Sequence, residues 1–501
     1  MRQLLLLFIT LFSLVGCLKD DDYTVSTNDR LAFNQDTIAF DTIISGIPTK
    51  TYSMVVYNHA DKAIRITQIA LQKGASSPFK IQADGASLEK GIATDFEIAR
   101  KDSMIVYLMA NVPHTDNDGP IDYTDKLVFT TEAGVNQEVV LKAAGQDVID
   151  MKAQRISHDL TLDAKRPYHV YDSLVVEKGA TLTLAAGTQL LFHSKTSLIV
   201  YGTLKIEGSL NSPVVLRGDR LDNMFKNQPY DRTPGLWGGV VFKKGSFNNE
   251  IRYADIHSGS FGVQIDSTDV TQRVLTMENS IVTTTTNHAI SIRQAQAFIG
   301  NSQITNAGGD CLHVRGGDVT LIHCTLGRFF VFTGGYGNAL NFANFDNEVR
   351  LPLKNLQMVN CIITGYQEDE MMGSSNETFQ DDAFNYSFGN CLINTPKPKD
   401  DDAHFVNCLW DVKDKSVGAA PIEEQILRDK NFDPEFNVDH LLFGFELSEK
   451  SQAIGKANVN VTQQYYPNDR LGRARGNAPD IGCYQHQVKK QEDKKVFKKN
   501  E

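Results

Sequence analysis

Arg293 and Arg315 stand 22 residues apart in matching surroundings, Ile290-Ser291-Ile292-Arg293 and Leu312-His313-Val314-Arg315. A guanidinium is a planar fork of donors that suits carboxylates and sulfates. Two of them on neighbouring strands ~4.8 Å apart, beside the imidazole of His313, can hold a uronate or a sulfated sugar. Strand alternation sends Ile290, Ile292, Leu312 and Val314 inward and leaves Ser291, Arg293, His313 and Arg315 facing out. The same reading one repeat earlier adds Gln264 and Asp266, and one repeat later adds Asn341. One outward row is then Gln264, Ser291, His313 and Asn341, and a second is Asp266, Arg293 and Arg315. Arg293, Arg315, His313, Ser291, Asn341 and Asp266 form the candidate glycan-binding set. The alternative is a plain solvated wall on which Asp266 balances the arginines.

Eliminative cleavage of a uronic-acid polymer needs a cation beside the carboxylate and a base for the proton on the neighbouring carbon. His313 and the arginines are suitable types, but no compact acidic cluster on adjacent strands offers a calcium site. No Ser-His-Asp set or nucleophile elbow is evident, and scattered carboxylates define no glycosidase pair. Catalytic residues are therefore unassigned, and no cofactor or metal is expected. Calcium has one acidic turn in its favour, formed by Asp116, Asp118 and Asp122. It lacks the third acidic position before glycine and the distal glutamate of an EF-hand. A tight polar turn uses the same residue types. The acidic stretch from Glu368 to Asp382 reads as a mobile rim loop.

The elements that would position these residues show as an internal repeat. His288 to Arg293 matches Asp310 to Arg315, and Asn301-Ser302-Gln303-Ile304 matches His323-Cys324-Thr325-Leu326. The second signature recurs at Asn279-Ser280, Asn360-Cys361, Asn390-Cys391 and Asn407-Cys408, with gaps of 22, 22, 37, 30 and 17 residues. A constant core with loops of varying length fits stacked coils of three short strands, each strand pairing with its equivalent in the next coil. Ser280, Ser302, Cys324, Cys361, Cys391 and Cys408 then share one small buried position, preceded by a ladder of asparagine amides. No Cys-x-x-Cys pair is present, so the cysteines read as small buried residues rather than as metal ligands or disulfides.

This region resembles the right-handed parallel β-helix of pectate-lyase-like proteins. Trp237-Gly238-Gly239-Val240 after Pro234-Gly235 is similar to a strand common in exported helices of that kind. Ser451-Gln452-Ala453-Ile454, Asp469-Arg470-Leu471-Gly472-Arg473 and Pro479-Asp480-Ile481-Gly482-Cys483-Tyr484 resemble the ending called choice-of-anchor Q. Gln452, Cys483 and Gln485 stand where that pattern has Pro, Ala and Glu. The resemblance implies an element that closes the last coil, covering unpaired strand edges.

Residues 28–147 alternate apolar and polar side chains in short runs, such as Tyr52 to Tyr57, Ala63 to Ile69 and Met104 to Leu108. Turn residues separate the runs, which predicts an antiparallel sandwich. The order of features resembles the immunoglobulin-like ASH or choice-of-anchor D type of domain. That resemblance implies a spacer or adhesion module, with Phe79-Lys80-Ile81 as a central strand and a last strand ending at Gly145.

The chain opens with Arg2 and an apolar run from Leu4 to Val15, too short to span a bilayer, which takes ~20 residues. It ends in Leu14-Val15-Gly16-Cys17, which resembles a bacterial lipobox and implies a lipidated Cys17 at the mature N-terminus. Lys19 followed by Asp20, Asp21 and Asp22 is similar to an export signal to the outer cell face and equally reads as a solvated linker. A net charge of −11 argues against nucleic acid.

The expected organisation is a signal peptide over 1–17, an acidic linker over 18–27, an immunoglobulin-like β-sandwich over 28–147, a right-handed parallel β-helix with its ending over 155–487, and a Lys-rich tail over 488–501. The fold class is all-β. The expected protein is an outer-membrane lipoprotein, tethered to the bilayer through Cys17 and exposed at the cell surface. Its β-helix is expected to bind polysaccharide or another surface component without catalysis. The alternatives are a polysaccharide lyase or hydrolase acting on acidic glycans, and an adhesive or structural surface protein.

Overall fold

A computed structural model describes residues 23–225, 228–332, 335–376, 378, 382–399, 403–411, 430–432, 441 and 443–488. The expected signal peptide with Cys17, linker residues 18–22, much of the acidic stretch near 377–381 and tail residues 489–501 lie outside the described residues. The chain divides into two compact units, with the boundary between Asp147 and Val148.

The first unit is a sandwich of two five-stranded sheets. One orders its strands Leu31–Phe33, Tyr52–Asn58, Ser103–Ala110, Phe79–Ala83 and Ala86–Ser87. The other orders them Thr37–Ile44, Asn136–Gln146, Ile121–Thr131, Ile64–Leu71 and Ile92–Ile98. Pairing is antiparallel except between Thr37–Ile44 and Asn136–Gln146. Period-two alternation places Phe40, Met54, Val56, Ile66, Phe79 and Phe129 in one apolar core. The strand Phe79–Ala83 is not central as expected. It pairs with Ser103–Ala110 on one side and only the two-residue strand Ala86–Ser87 on the other. The acidic turn is organised by Asp147, whose carboxylate accepts the amides of Thr115 and Asn117, both at 3.0 Å.

The second unit is a right-handed parallel β-helix. A representative coil runs Ile290–Arg293, Gln296–Gly300 and Gln303–Ala307, and the next runs Leu312–Arg315, Gly317–Ile322 and Thr325–Arg328. Each strand pairs in parallel with its counterpart in the next coil, so equal positions stack into columns. Inward Leu, Ile and Val side chains form one continuous core along the coils.

Asn279, Asn301, His323, Asn360, Asn390 and Asn407 turn the same corner with φ between 50° and 58°. Left-handed backbone disfavours most L-residues and favours asparagine, which explains the repeated amide better than neighbour bonding does. The expected amide ladder is only partial. Asn301 Nδ2 donates to Asn279 at 2.7 Å and Asn360 Nδ2 meets His323 at 3.0 Å, but Asn390 turns instead to the Lys456 carbonyl. The following small position stacks as expected. The Ser280 amide donates to Ser302 Oγ at 3.1 Å and the Cys324 amide to Cys361 Sγ at 3.4 Å. Cys311, Cys324, Cys361, Cys391 and Cys483 are buried and free, and Cys408 is partly buried and free.

Trp237 is fully enclosed, stacked on Phe192 with centroids 4.3 Å apart, and its indole N–H donates to the His257 carbonyl at 2.8 Å. The glycines that follow it are forced by close approach. A Cβ on Gly238 would sit 1.8 Å from Ser197 Oγ, and one on Gly239, at φ 114°, would sit 2.4 Å from the Phe261 carbonyl.

Residues 453–484 lie along the flank of the coils. Tyr466 donates to Glu278 at 2.8 Å, Arg475 to Asn301 at 2.8 Å, the Cys483 amide to Thr325 at 3.1 Å and the Gly482 amide to the Asn360 carbonyl at 2.8 Å. The polar corner residues left by the left-handed turns explain this path, since they offer the segment a row of hydrogen-bonding groups. Its one helix, Val459–Tyr465, is capped by Asn458, which accepts the Val461 amide at 3.2 Å.

Candidate functional site

The outward row expected from alternation is one column of the helix wall. Gln264 pairs with Ser291, Ser291 with His313, and His313 with Asn341. The column continues to Val241 before Gln264 and to Met372 after Asn341, so its polar part is bounded on both sides. Arg293 and Arg315 pair in the neighbouring column.

The charges of that second row are distributed differently from the expectation. Asp266 does not balance the arginines. Its carboxylate binds Lys243 at 2.9 Å, one coil earlier. Arg293 donates to Asp346 at 3.0 Å, in the short hairpin Phe345–Asp346/Val349–Arg350. Arg315 donates to the Asn341 side chain at 3.1 Å and to its neighbouring Val314 carbonyl at 3.0 Å. The two guanidiniums are therefore held by different partners rather than presented as one clamp.

His313 belongs to a tighter group that the sequence reading did not assemble. Asp310 is buried, and its Oδ2 lies 2.6 Å from His313 Nδ1 while its Oδ1 accepts the Asn338 amide at 2.8 Å. The Asp310 amide in turn donates to His288 Nδ1 at 2.9 Å. The His288 and His313 rings stack with centroids 4.1 Å apart and planes 19° apart. Tyr336 stands over His288 at 6.2 Å and donates to Asn287. A signal for this group was present in the sequence, because the offset that aligns Arg293 with Arg315 also aligns His288 with Asp310.

Electrostatics assign the parts. Burial opposes the Asp310 carboxylate, but the His313 hydrogen bond and the Asn338 amide outweigh it and hold its pKa below the usual range. With Nδ1–H of His313 on that carboxylate, Nε2 carries the free lone pair, and it has no protein partner among the described residues. A buried carboxylate that fixes the tautomer of an outward imidazole is how a base or a hydroxyl acceptor is oriented. His288 is different: burial, then the nearby His313 and Arg315 charges, push its pKa down to about 4 against the pull of Asp310.

That depression makes stability depend on pH. Folded His288 stays neutral down to about pH 4, whereas in the unfolded chain it takes a proton near pH 6.5. Between these values the unfolded state binds more protons. Its contribution is fully present above about pH 6.5 and is lost as pH falls toward 4. In His288→Asn the loss of stability between pH 7 and pH 5 shrinks by about 2 kcal/mol, read from denaturant midpoints at the two pH values. Equal losses in both proteins would remove His288 as the source.

Elsewhere on the β-helix lies a cavity of about 240 Å³ lined by Asp231, Asp255, His257, Thr283, Asn306 and Phe443. His257 Nδ1 lies 2.9 Å from Asp255 there.

No family model matches the sequence, and no curated protein matches it. Among solved structures, the catalytic unit of a GH87 α-1,3-glucanase from Streptomyces thermodiastaticus strain HF3-3 matches over 73% of this chain and 90% of its own, at 10% identity and TM-score 0.31. The ASH/PapD-like domain 7 of human CEP192 matches over 26% of this chain and 93% of its own, at 14% identity and TM-score 0.17. A family 123 glycoside hydrolase from Clostridium perfringens matches over 23% of this chain at 8% identity and TM-score 0.17, and this chain spans 26% of that protein's length. The fold is all-β, an immunoglobulin-like sandwich followed by a right-handed parallel β-helix.

Proposed function

We propose that this is an exported lipoprotein, anchored through Cys17 in the outer membrane and facing the cell surface, whose β-helix wall binds an acidic polysaccharide without cleaving it. The observation that carries the binding reading is the polar column Gln264, Ser291, His313 and Asn341, with Arg315 fastened to its last member. Polar groups repeating at the ~4.8 Å spacing of the coils can follow an extended chain of sugars with hydrogen bonds to successive hydroxyls and carboxylates. The anchor reading rests on Leu14-Val15-Gly16-Cys17 after a short apolar run. Among the described residues no helix is long and apolar enough to cross a membrane. The ending that resembles choice-of-anchor Q would be the segment fastened along the flank.

A second reading, eliminative cleavage, is favoured by one feature. Asp310 orients His313 with Nε2 free beside Arg315, which supplies a base and a cation of the required types. The two readings separate on a panel of uronic-acid and neutral polymers. Binding predicts retardation of the full chain on affinity gels by at least one acidic polymer, with no rise in ultraviolet absorbance from new unsaturated ends. A rise in absorbance would replace the binding reading with the lyase, and no retardation by any polymer would remove both. The anchor has its own measurement. Cells expressing Cys17→Ser yield an unlipidated chain that partitions into the aqueous phase of a detergent separation, while the unaltered chain stays with the detergent. Equal partitioning would contradict lipidation.

A further inference from the structure

At the start of the β-helix, far along the coils from the His313 column, two imidazoles aim at one carboxylate oxygen. His193 Nδ1 lies 2.7 Å and His169 Nε2 3.1 Å from Asp219 Oδ2. The stacking of coils brings them together. Tyr168–Val170 pairs with Leu190–Phe192, and Gln189–Phe192 with Val215–Gly218. His193 and Asp219 therefore leave adjoining strands at the same place, while His169 reaches them from the coil before. The three ligand atoms lie within 4.8 Å of one another. Two ligands each ~2.0–2.1 Å from a tetrahedral ion are themselves about 3.3 Å apart, so the group needs only small side-chain shifts to surround one.

A second observation points to the same occupant. His169 is completely buried, and its other nitrogen, Nδ1, has no hydrogen-bond partner, although Asp150 Oδ1 stands 3.6 Å away. Asp150 is the residue paired with His169 in the first rung. A neutral His169 that donates from Nε2 to Asp219 turns the lone pair of Nδ1 toward the Asp150 carboxylate, which is an acceptor facing an acceptor. A cation on Nε2 moves the proton to Nδ1, where Asp150 accepts it. Histidine ligands are regularly oriented in this way by a carboxylate behind the ring. The neighbouring cations do not compete for Asp219. Arg217 is bound to Asp231 at 3.0 Å and Arg220 to Asp222 at 2.6 Å.

We propose that His169, His193 and Asp219 bind one divalent ion of the zinc type, with Asp150 behind His169 and a fourth position open to solvent beside the half-exposed His193. Two imidazoles and one carboxylate suit zinc and cobalt better than calcium or magnesium, which prefer all-oxygen sites. The group His288, Asp310 and His313 also combines these residue types. There, however, both Nδ1 atoms are already engaged, one by the Asp310 amide and one by its carboxylate, and neither ring has a buried nitrogen without a partner.

The test is titration of the chelator-stripped full chain with Zn²⁺ against a chromophoric competitor, and with Co²⁺ read by its visible spectrum. The expected result is one equivalent of Zn²⁺ bound at micromolar concentration and a tetrahedral Co²⁺ spectrum. Affinity falls at least ~10-fold in His193→Ala and about 10–100-fold in Asp150→Asn, and is unchanged in His313→Ala. His193 is exposed enough for its variant to keep the fold, which circular dichroism verifies. Absence of Zn²⁺ uptake by the unaltered chain would overturn the assignment. So would an affinity that is equal in the unaltered chain, His193→Ala and Asp219→Asn.

Discussion

Arg475→Ala lowers the unfolding free energy of the β-helix by about 3–5 kcal/mol. Arg475 is 2% exposed, and its guanidinium binds three acceptors at once: Asn301 Oδ1 at 2.8 Å, the Gly482 carbonyl at 2.9 Å and the Asp480 carbonyl at 3.1 Å. Burial brings its pKa down to about 10, so it is still charged at neutral pH. Hydrogen bonds to a charged donor contribute about 1.5–3 kcal/mol each. They share one group and do not add fully, and removing that group leaves its acceptors buried. Lysine does not rescue the site, because one ammonium cannot reproduce the planar fork. Denaturant midpoints measure the loss, and limited proteolysis reports where it falls. Cleavage in residues 453–484 should quicken first, because Arg475 is the bolt that fastens this segment to the coil of Asn301. A midpoint within error of the unaltered chain would mean that the segment is held by other contacts.

Trp237→Ala removes about 3–5 kcal/mol by a different route. The indole is fully buried against Phe192 in the continuous core, so truncation leaves a cavity that rigid coils cannot close. It also leaves the His257 carbonyl without its donor. Trp237→Phe separates the two causes, since it keeps most of the ring and loses the hydrogen bond, and should cost about 1–2 kcal/mol. A solenoid couples each coil to its neighbours. The damage is therefore expected in amide-exchange protection of the strands Gly239–Phe242 and Ala254–His257, which flank Trp237 in the chain and through its hydrogen bond. Equal stability of the Ala and Phe variants would place the whole effect in the hydrogen bond.

The fold was legible where a residue's place follows from periodicity. The 22-residue offset between His288–Arg293 and Asp310–Arg315 fixes which strands stack, and with it the column Gln264, Ser291, His313 and Asn341. The small position of Ser302 and Cys324 was legible for the same reason. What was not legible depends on loops and on side-chain choice among partners. Arg293 finds Asp346 on a hairpin whose sequence carries no repeat, and Asp266 prefers Lys243 to the arginines in its own row. The asparagines looked like a bonding ladder because the residue type is right for one. Their backbone φ values show that the corner itself selects them. The path of residues 453–484 along the flank was hidden because their partners, Glu278 to Asn360, lie more than a hundred residues earlier for most contacts and share no pattern with them. His169, His193 and Asp219 were missed because irregular gaps in the first coils obscure their shared register.

The outward column is tested most directly by comparing the full chain with the variant Ser291→Ala/His313→Gln/Asn341→Ala. The measurement is affinity for the acidic polymer that retards the unaltered protein most, at equal melting temperature. Three lost hydrogen bonds at about 1 kcal/mol each predict a fall in affinity on the order of 100-fold. The same variant should bind Zn²⁺ as the unaltered chain does. Undiminished polymer affinity in the folded variant would contradict the assignment of this wall as the binding surface.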